Sequence, residues 1–224
     1  YLSRKYPQRI KDRLINLVQE ELGQDFDVEK HFTPSYKPWD QRMCLVPDGD
    51  LFAAIKDNRA NVVTDTINTF TSSGILLNSG SEIEADIVIS ATGIELNALN
   101  DINVSVDGVK VEANHKLSYK GMMLSGVPNL AITFGYVNSS WTLRADLTCE
   151  YVCRLINTMD KEGCTACAPE EDLNALVEDD YIDFTSGYVQ RALDRLPKQG
   201  KKSPWRNYQN YLLDIFYVRL FSIK

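Results

Sequence analysis

Apolar and polar positions alternate along this chain in two distinct periods. Ile10, Leu14, Leu17 and Val18 recur at helical spacing, and Gly23 stops the pattern, which predicts a helix over residues 4 to 22. Residues 31 to 50 carry Pro34, Pro38, Pro47 and the turn pair Asp48-Gly49, so irregular chain is expected there. A short helix is expected from Leu51 to Lys56, then a strand from Val62 to Ile67 and a hairpin joined near Asn78-Ser79-Gly80. Farther on, the flanks of Asp107-Gly108 read as a short hairpin formed by Asn103–Val106 and Val109–Glu112.

One run stands apart from both periods. Ala85-Asp86-Ile87-Val88-Ile89-Ser90-Ala91-Thr92-Gly93 is almost continuously apolar. Such a run reads as a strand over 86–91 buried on both faces, hence a parallel sheet in an α/β domain. It ends in Ala91-Thr92-Gly93, small residues that permit close approach of a ligand. Open α/β sheets bind ligands at the carboxyl ends of their strands, so residues 91 to 93 sit where a nucleotide-type cofactor would lie. The matching half of that site, a G-x-G-x-x-G loop, does not occur in the sequence.

A second seat follows. Leu130–Phe134 reads as an apolar strand, Gly135 as a turn, and Trp141–Met159 as a helix with Leu143, Leu147, Tyr151, Leu155 and Ile156 on one face. Asn138, Ser139 and Ser140 stand before that helix and suit N-capping. Its first N–H groups and positive dipole end favour an electron-rich partner. A plain strand-to-helix connection explains the same residues. The remainder reads as an acidic helix, a loop, and an aromatic helix over Tyr208–Phe221, whose aromatic stripe suits packing on the domain or on a lipid surface.

Composition narrows the functions. The 224 residues are 44% hydrophobic and 25% charged, with a net charge of -7, which suits a globular domain and disfavours a nucleic-acid partner. No apolar stretch reaches the length of a transmembrane segment, and the first residues do not resemble a signal peptide. Since the sequence starts at Tyr1 without Met, it is expected to begin mid-protein. Five cysteines without a disulfide framework point to a reducing, cytoplasmic setting. Cys164 and Cys167 form a C-x-x-C, but no second pair or nearby His completes a metal site, so no metal is expected. Cys149 and Cys153, four apart on the predicted helix, are expected to be core thiols. With His31 and His115 the only histidines, a His-based triad is not expected.

Longer blocks carry a resemblance. They are His31-Phe32-Thr33-Pro34, Lys37-Pro38-Trp39-Asp40-Gln41-Arg42, Leu45-Val46-Pro47-Asp48-Gly49-Asp50-Leu51-Phe52, and Tyr119-Lys120-Gly121-Met122-Met123-Leu124-Ser125-Gly126-Val127-Pro128-Asn129. Together they resemble the class B flavoprotein monooxygenases, of the flavin-containing and Baeyer–Villiger type and close to the ethionamide-activating subgroup. The similarity covers most of the chain and weakens over residues 160 to 180 and beyond about residue 214.

That resemblance implies the C-terminal part of a flavoprotein with two Rossmann-like dinucleotide-binding domains. Residues 1–93 would finish the NADPH-binding domain, and 94–224 would finish the FAD-binding domain with a helical tail. The Gly-rich loops would belong to the missing N-terminal half, placed upstream of Tyr1. In such enzymes NADPH reduces FAD, O2 adds to give a peroxyflavin, and one oxygen atom passes to a ketone or to a sulfur or nitrogen centre. Arg42 matches the family's catalytic arginine beside flavin and nicotinamide, where a permanent cation stabilises developing negative charge. The residue before it departs from many relatives: Gln41 stands where they have Lys. Asp40 either orients Arg42 or begins a turn, and the turn is favoured. Thr92 and Gly93 match the family's backbone contacts to FAD. Asn138, Trp141 and Thr142 match the helix start that faces the flavin ring, although Trp141 also suits a core position. Trp205 is expected in the wall of the substrate pocket. The basic run around it, Lys198 to Arg206, suits either the NADPH phosphate or a solvated loop. The rival reading is a non-catalytic remnant or interaction module that binds no cofactor alone. A plain dehydrogenase or disulfide reductase is a third, which the long blocks oppose.

Overall fold

The helix expected over residues 4 to 22 forms as two pieces broken at Tyr6, which leaves the helical backbone region ahead of Pro7. In the computed structural model, α1 spans Leu2–Lys5 and α2 spans Pro7–Leu22. Pro7 occupies the first turn, where its missing N–H has no partner to lose. Gly23 ends α2 with a φ of 88°, and its N–H donates to the Gln19 carbonyl at 2.9 Å. The structure describes residues 2–41, 43–97, 99, 102–137, 139–170, 179–182, 184–220 and 223. Arg42 and Asn138 lie outside them.

The chain divides into two units, Tyr1–Gly93 and Ile94–Lys224. In the first, α3 (Val28–Phe32) is capped by the Asp27 carboxylate, which accepts from the Lys30 N–H at 3.0 Å. α4 spans Asp50–Lys56 after a turn in which Asp48 and Gly49 both take left-handed backbone conformations. Phe32 lies between Phe26 and Phe52, with ring centroids 5.9 and 6.0 Å away. Three antiparallel strands follow as a meander, β1 (Ile67–Phe70), β2 (Gly74–Leu77) and β3 (Glu82–Glu84). The strand expected over Val62–Ile67 starts only at Ile67. β2 is four residues long, and its register with β1 ends at the pair Leu77 and Ile67.

The largest departure concerns residues 86–91. They form no strand, and Ile87, Val88 and Ile89 are 80%, 44% and 86% exposed. Burial of a parallel strand requires neighbouring strands on its edges and cover on both faces. Among the described residues the named strands pair only as antiparallel meanders and hairpins, so none flanks this run. The chain therefore mixes helices and strands as an α/β protein does, while the run expected to form its central strand stays irregular.

In the second unit, β4 (Ser105–Val106) and β5 (Val109–Lys110) form the hairpin expected around Asp107-Gly108, both of which have positive φ. β6 (Ser118–Tyr119) and β7 (Met123–Leu124) form another. Leu130–Phe134 is not a strand either. Leu130, Ile132 and Phe134 are half-buried, whereas Ala131 and Thr133 are exposed. One side of the segment thus packs inward, and the Ile132 N–H reaches the Met122 carbonyl at 2.7 Å.

α5, Trp141–Glu162, is the spine of this unit. Leu147, Tyr151 and Leu155 pack with Met122, Met123 and Val218 in one core cluster. The remaining elements are β8 (Asp179–Asp180), α6 (Gly187–Gln190), β9 (Lys198–Gln199, paired with β8) and α7 (Tyr211–Arg219). Asn210 caps α7 by accepting from the N–H groups of Leu212 and Leu213. Of residues 163–186, which follow α5, the described ones do not form the acidic helix expected after it, and 171–178 lie outside them. Among those described, no helix is long and apolar enough to cross a membrane.

Candidate functional site

The start of α5 is built around a missing side chain. Gly135 has no Cβ, and the indole of Trp141 fills that space, with its Cγ 2.1 Å from where a Cβ would stand. Phe134 flanks the indole at 5.3 Å between centroids. The indole is nonetheless half open to solvent, at 51% exposure. Thr142 is exposed beside it, and its hydroxyl meets that of Ser140 at 2.7 Å. Ser140 is the N-cap residue, yet its side chain makes no capping bond, contrary to expectation. The Ser140 hydroxyl is engaged by Thr142 instead. The result is a shoulder that presents an aromatic face, two hydroxyls and the positive end of a 22-residue helix.

Beneath the shoulder lies a buried ionic knot. Arg144 is one turn into α5, and its side chain is only 3% exposed. Its Nη1 lies 2.6 Å from Asp214 Oδ2 on α7 and makes no hydrogen bond, so the pair is held by charge. Arg144 Nη2 donates to the Lys120 carbonyl. The hydroxyl of Tyr136 donates to Asp214 Oδ2 at 2.7 Å. Tyr181, from the next core cluster, donates to the Gly121 carbonyl at 3.2 Å. Gly121 has a φ of 66°, and a Cβ there would stand 2.5 Å from Arg144 Nη2. Burial works against the Arg144 cation, but Asp214 and the Tyr136 hydroxyl outweigh it and hold its pKa above the ordinary value. Tyr136 is raised by burial and by Asp214, and so stays a protonated donor.

Lys120 extends the knot. Burial, with Arg154 nearby, lowers its pKa to about 8. Its Nζ donates to the Tyr217 carbonyl at 2.9 Å and lies 5.0 Å from the Tyr151 ring centroid. Arg154 donates to the Val218 carbonyl at 2.6 Å. Two cations thus meet carbonyls at the C-terminal end of α7, the end that the helix dipole makes negative.

The sequence-predicted site residues distribute as follows. Thr92 and Gly93 are exposed at the end of the first unit, with Gly93 at a φ of 112°. Trp141 and Thr142 meet at the shoulder. Trp205 is buried, at 5% exposure, and packs edge-on against Tyr119 at 5.3 Å. Ahead of Arg42 the chain makes a tight turn in which the Asp40 N–H donates to the Lys37 carbonyl at 3.1 Å. The Asp40 carboxylate accepts from the Lys37 N–H at 3.3 Å. Trp39 in this turn has a φ of 71°, rare for a bulky residue. Of the basic run near Trp205, Lys198 pairs with Asp180 and Arg206 with Asp179.

Two expectations about α5 are overturned. Cys149 and Cys153 are exposed, and Ile156 is 51% exposed. At 100° per residue all three point away from the stripe of Leu147, Tyr151 and Leu155. All five cysteines are free. Sequence reasoning missed Arg144, Tyr136 and Asp214, although a signal existed. Arg144 lies on the apolar stripe of α5, and Asp214 interrupts the apolar run Tyr211–Val218. Charges in such places demand buried partners.

Comparison with known proteins adds the remaining facts. The chain is 51% identical over 215 residues to the FAD-containing monooxygenase EthA of Mycobacterium tuberculosis, covering 96% of this chain and 44% of that protein. It is 47% identical over 214 residues to the probable FAD-binding monooxygenase AlmA of Acinetobacter baylyi, covering 95% and 43%. The putative FAD-containing monooxygenase MymA of M. tuberculosis is 42% identical over 212 residues, covering 94% and 43%. This chain is therefore homologous over nearly its whole length to FAD-containing monooxygenases, and spans less than half of theirs. No family model matches it. No solved structure matches it.

Proposed function

We propose that this chain is the C-terminal portion of an FAD- and NADPH-dependent monooxygenase that inserts one oxygen atom of O2 into a ketone or a sulfur or nitrogen centre. The observation that carries the reading is identity of 42–51% over nearly the full chain to proteins named as FAD-containing or FAD-binding monooxygenases. Residues 1–93 then complete an NADPH-binding domain and 94–224 an FAD-binding domain. The N-terminal portion of the same polypeptide supplies the Gly-rich loops. Five free thiols suit a reducing, cytoplasmic setting.

The donor set fits a flavin. An isoalloxazine ring is flat, with an electron-rich pyrimidine edge. The half-open indole of Trp141 offers it an aromatic face, and the hydroxyls of Ser140 and Thr142 at a helix N-terminus offer donors. Thr92 and Gly93, small and exposed, allow backbone approach. A flavin held at the α5 shoulder would supply electron transfer from NADPH and activation of O2. Arg42 contributes a permanent cation against the negative charge that develops on the transferred oxygen. Trp205 shapes the substrate pocket from behind Tyr119.

The test uses the complete polypeptide that carries this chain, supplied with FAD, NADPH, 18O2 and two probes, a cyclic ketone and a thioether. The expected result is a yellow protein that consumes NADPH and places one labelled oxygen in a product. A protein that takes up no FAD, or yields products without label, overturns the reading.

A further inference from the structure

We infer that Asp214 and Tyr136 are positioning residues for the α5 shoulder, so that the C-terminal helix sets how the flavin edge is held. This rests on the functional reading above. One carboxylate oxygen, Asp214 Oδ2, engages both sides of the shoulder. It accepts from the Tyr136 hydroxyl at 2.7 Å, on the loop entering it, and lies 2.6 Å from Arg144 Nη1, on the first turn of the helix leaving it. Tyr136 directly follows Gly135, the residue that seats the Trp141 indole. Val137 is held from the same side, its N–H donating to Gln209 Oε1 at 3.0 Å, one residue before the Asn210 cap of α7. The loop that leads into Trp141 and Thr142 at the head of α5 is thereby registered against α7, about seventy residues later in the chain.

Stability alone does not call for this arrangement. A buried ion pair contributes little net stabilisation relative to a well-packed apolar pair, because desolvation offsets the attraction. Placing a carboxylate, a guanidinium and a phenol in an otherwise apolar layer instead specifies one geometry. The preceding loop segment, Leu130–Phe134, has no strand ladder to fix it, so the knot supplies the register that a sheet would otherwise give.

The experiment compares Asp214→Asn and Tyr136→Phe with Val189→Ala, a fully buried position in a different core cluster. All are made in the complete polypeptide. Three quantities are read: FAD affinity by fluorescence titration, the visible spectrum of the bound flavin, and the melting temperature of the apoprotein. Asp214→Asn is expected to weaken FAD binding about tenfold or more and to shift the long-wavelength flavin band. Tyr136→Phe is expected to give a smaller change of the same sign. Val189→Ala is expected to lower the melting temperature while leaving affinity and spectrum unchanged. Should Asp214→Asn fail to fold, Tyr136→Phe, which loses one hydroxyl, carries the test. Wild-type affinity and spectrum in both variants overturn the inference while leaving the functional reading intact. So do changes that Val189→Ala reproduces at equal loss of melting temperature. Absence of FAD binding by the wild-type protein overturns the functional reading and this inference with it.

Discussion

Trp141 and Gly135 form a lock at the head of α5: the indole stands where any side chain at position 135 would have to go, 2.1 Å from an ideal Cβ. Gly135→Ala is expected to push the indole outward, since its far side is already half exposed. The cost is about 1–3 kcal/mol, typical of overpacking. Urea unfolding measures that loss, and a red shift of tryptophan emission reports the displaced ring. An unchanged midpoint and spectrum would show that the indole does not occupy this seat.

Gly121 and Gly163 separate backbone strain from contact. Both have φ near 66–67°, but a Cβ at Gly121 meets Arg144 Nη2 at 2.5 Å, whereas one at Gly163 meets open space. Gly163→Ala is expected to cost about 1–2 kcal/mol, the left-handed backbone alone. Gly121→Ala should cost about 2–4 kcal/mol, because the buried guanidinium must also move. Equal losses in chemical denaturation would contradict the close packing of Arg144.

The Arg144–Asp214 pair lends itself to a double-mutant cycle. Arg144→Met and Asp214→Leu each strand a buried charge and are expected to cost about 3–5 kcal/mol. The double variant should cost much less than the two together, because an apolar pair leaves no charge behind. Additive losses would mean that the two residues do not interact.

Lys120 makes a prediction about alkaline pH. Its folded value, about 8, lies below the ordinary 10.5. Between those values the unfolded chain holds a proton that the folded chain does not, so this residue makes stability rise with pH, by an amount of order 1 kcal/mol. Above about pH 10 the buried hydroxyls of Tyr136, Tyr151 and Tyr181, all raised in the fold, reverse the trend. Their unfolded counterparts lose protons first. Lys120→Met should flatten the rise between pH 8 and about 10. If wild type and variant share one profile in that interval, Lys120 titrates normally.

Under the proposed function, Arg42→Ala in the complete polypeptide is expected to lower the rate of oxygen transfer by about a hundredfold or more, the scale for losing one preorganised charge at a reacting centre. Product formation and NADPH consumption are measured together. Normal oxygenation with normal coupling would remove Arg42 from the mechanism.

Local signals were legible wherever a few neighbouring residues decide the backbone. Gly23 ends a helix, Asp107-Gly108 turns a hairpin, and Leu147, Tyr151 and Leu155, spaced four apart, bury one face of α5. The blocks from His31 to Phe52 and Tyr119 to Asn129 sufficed to identify the flavoprotein resemblance that 42–51% identity supports. Strands were less legible, because a strand exists only through its partner. The run Ile87–Ile89 has every apolar feature of a buried strand and is exposed, since no neighbour pairs with it among the described residues. The side of α5 that meets the core was misread for Ile156, Cys149 and Cys153, although the 100° step itself turns all three away from the buried stripe, and they are exposed.

By itself, then, the sequence determined where the long helices and the turns fall, and kinship, because those depend on bonds and sterics within a few residues. Only the tertiary structure decided that Arg144 meets Asp214 and that the same carboxylate accepts from Tyr136. The reason is physical: a buried charge demands a counterion without saying where in the chain it comes from, and packing α7 against α5 answers that across seventy residues.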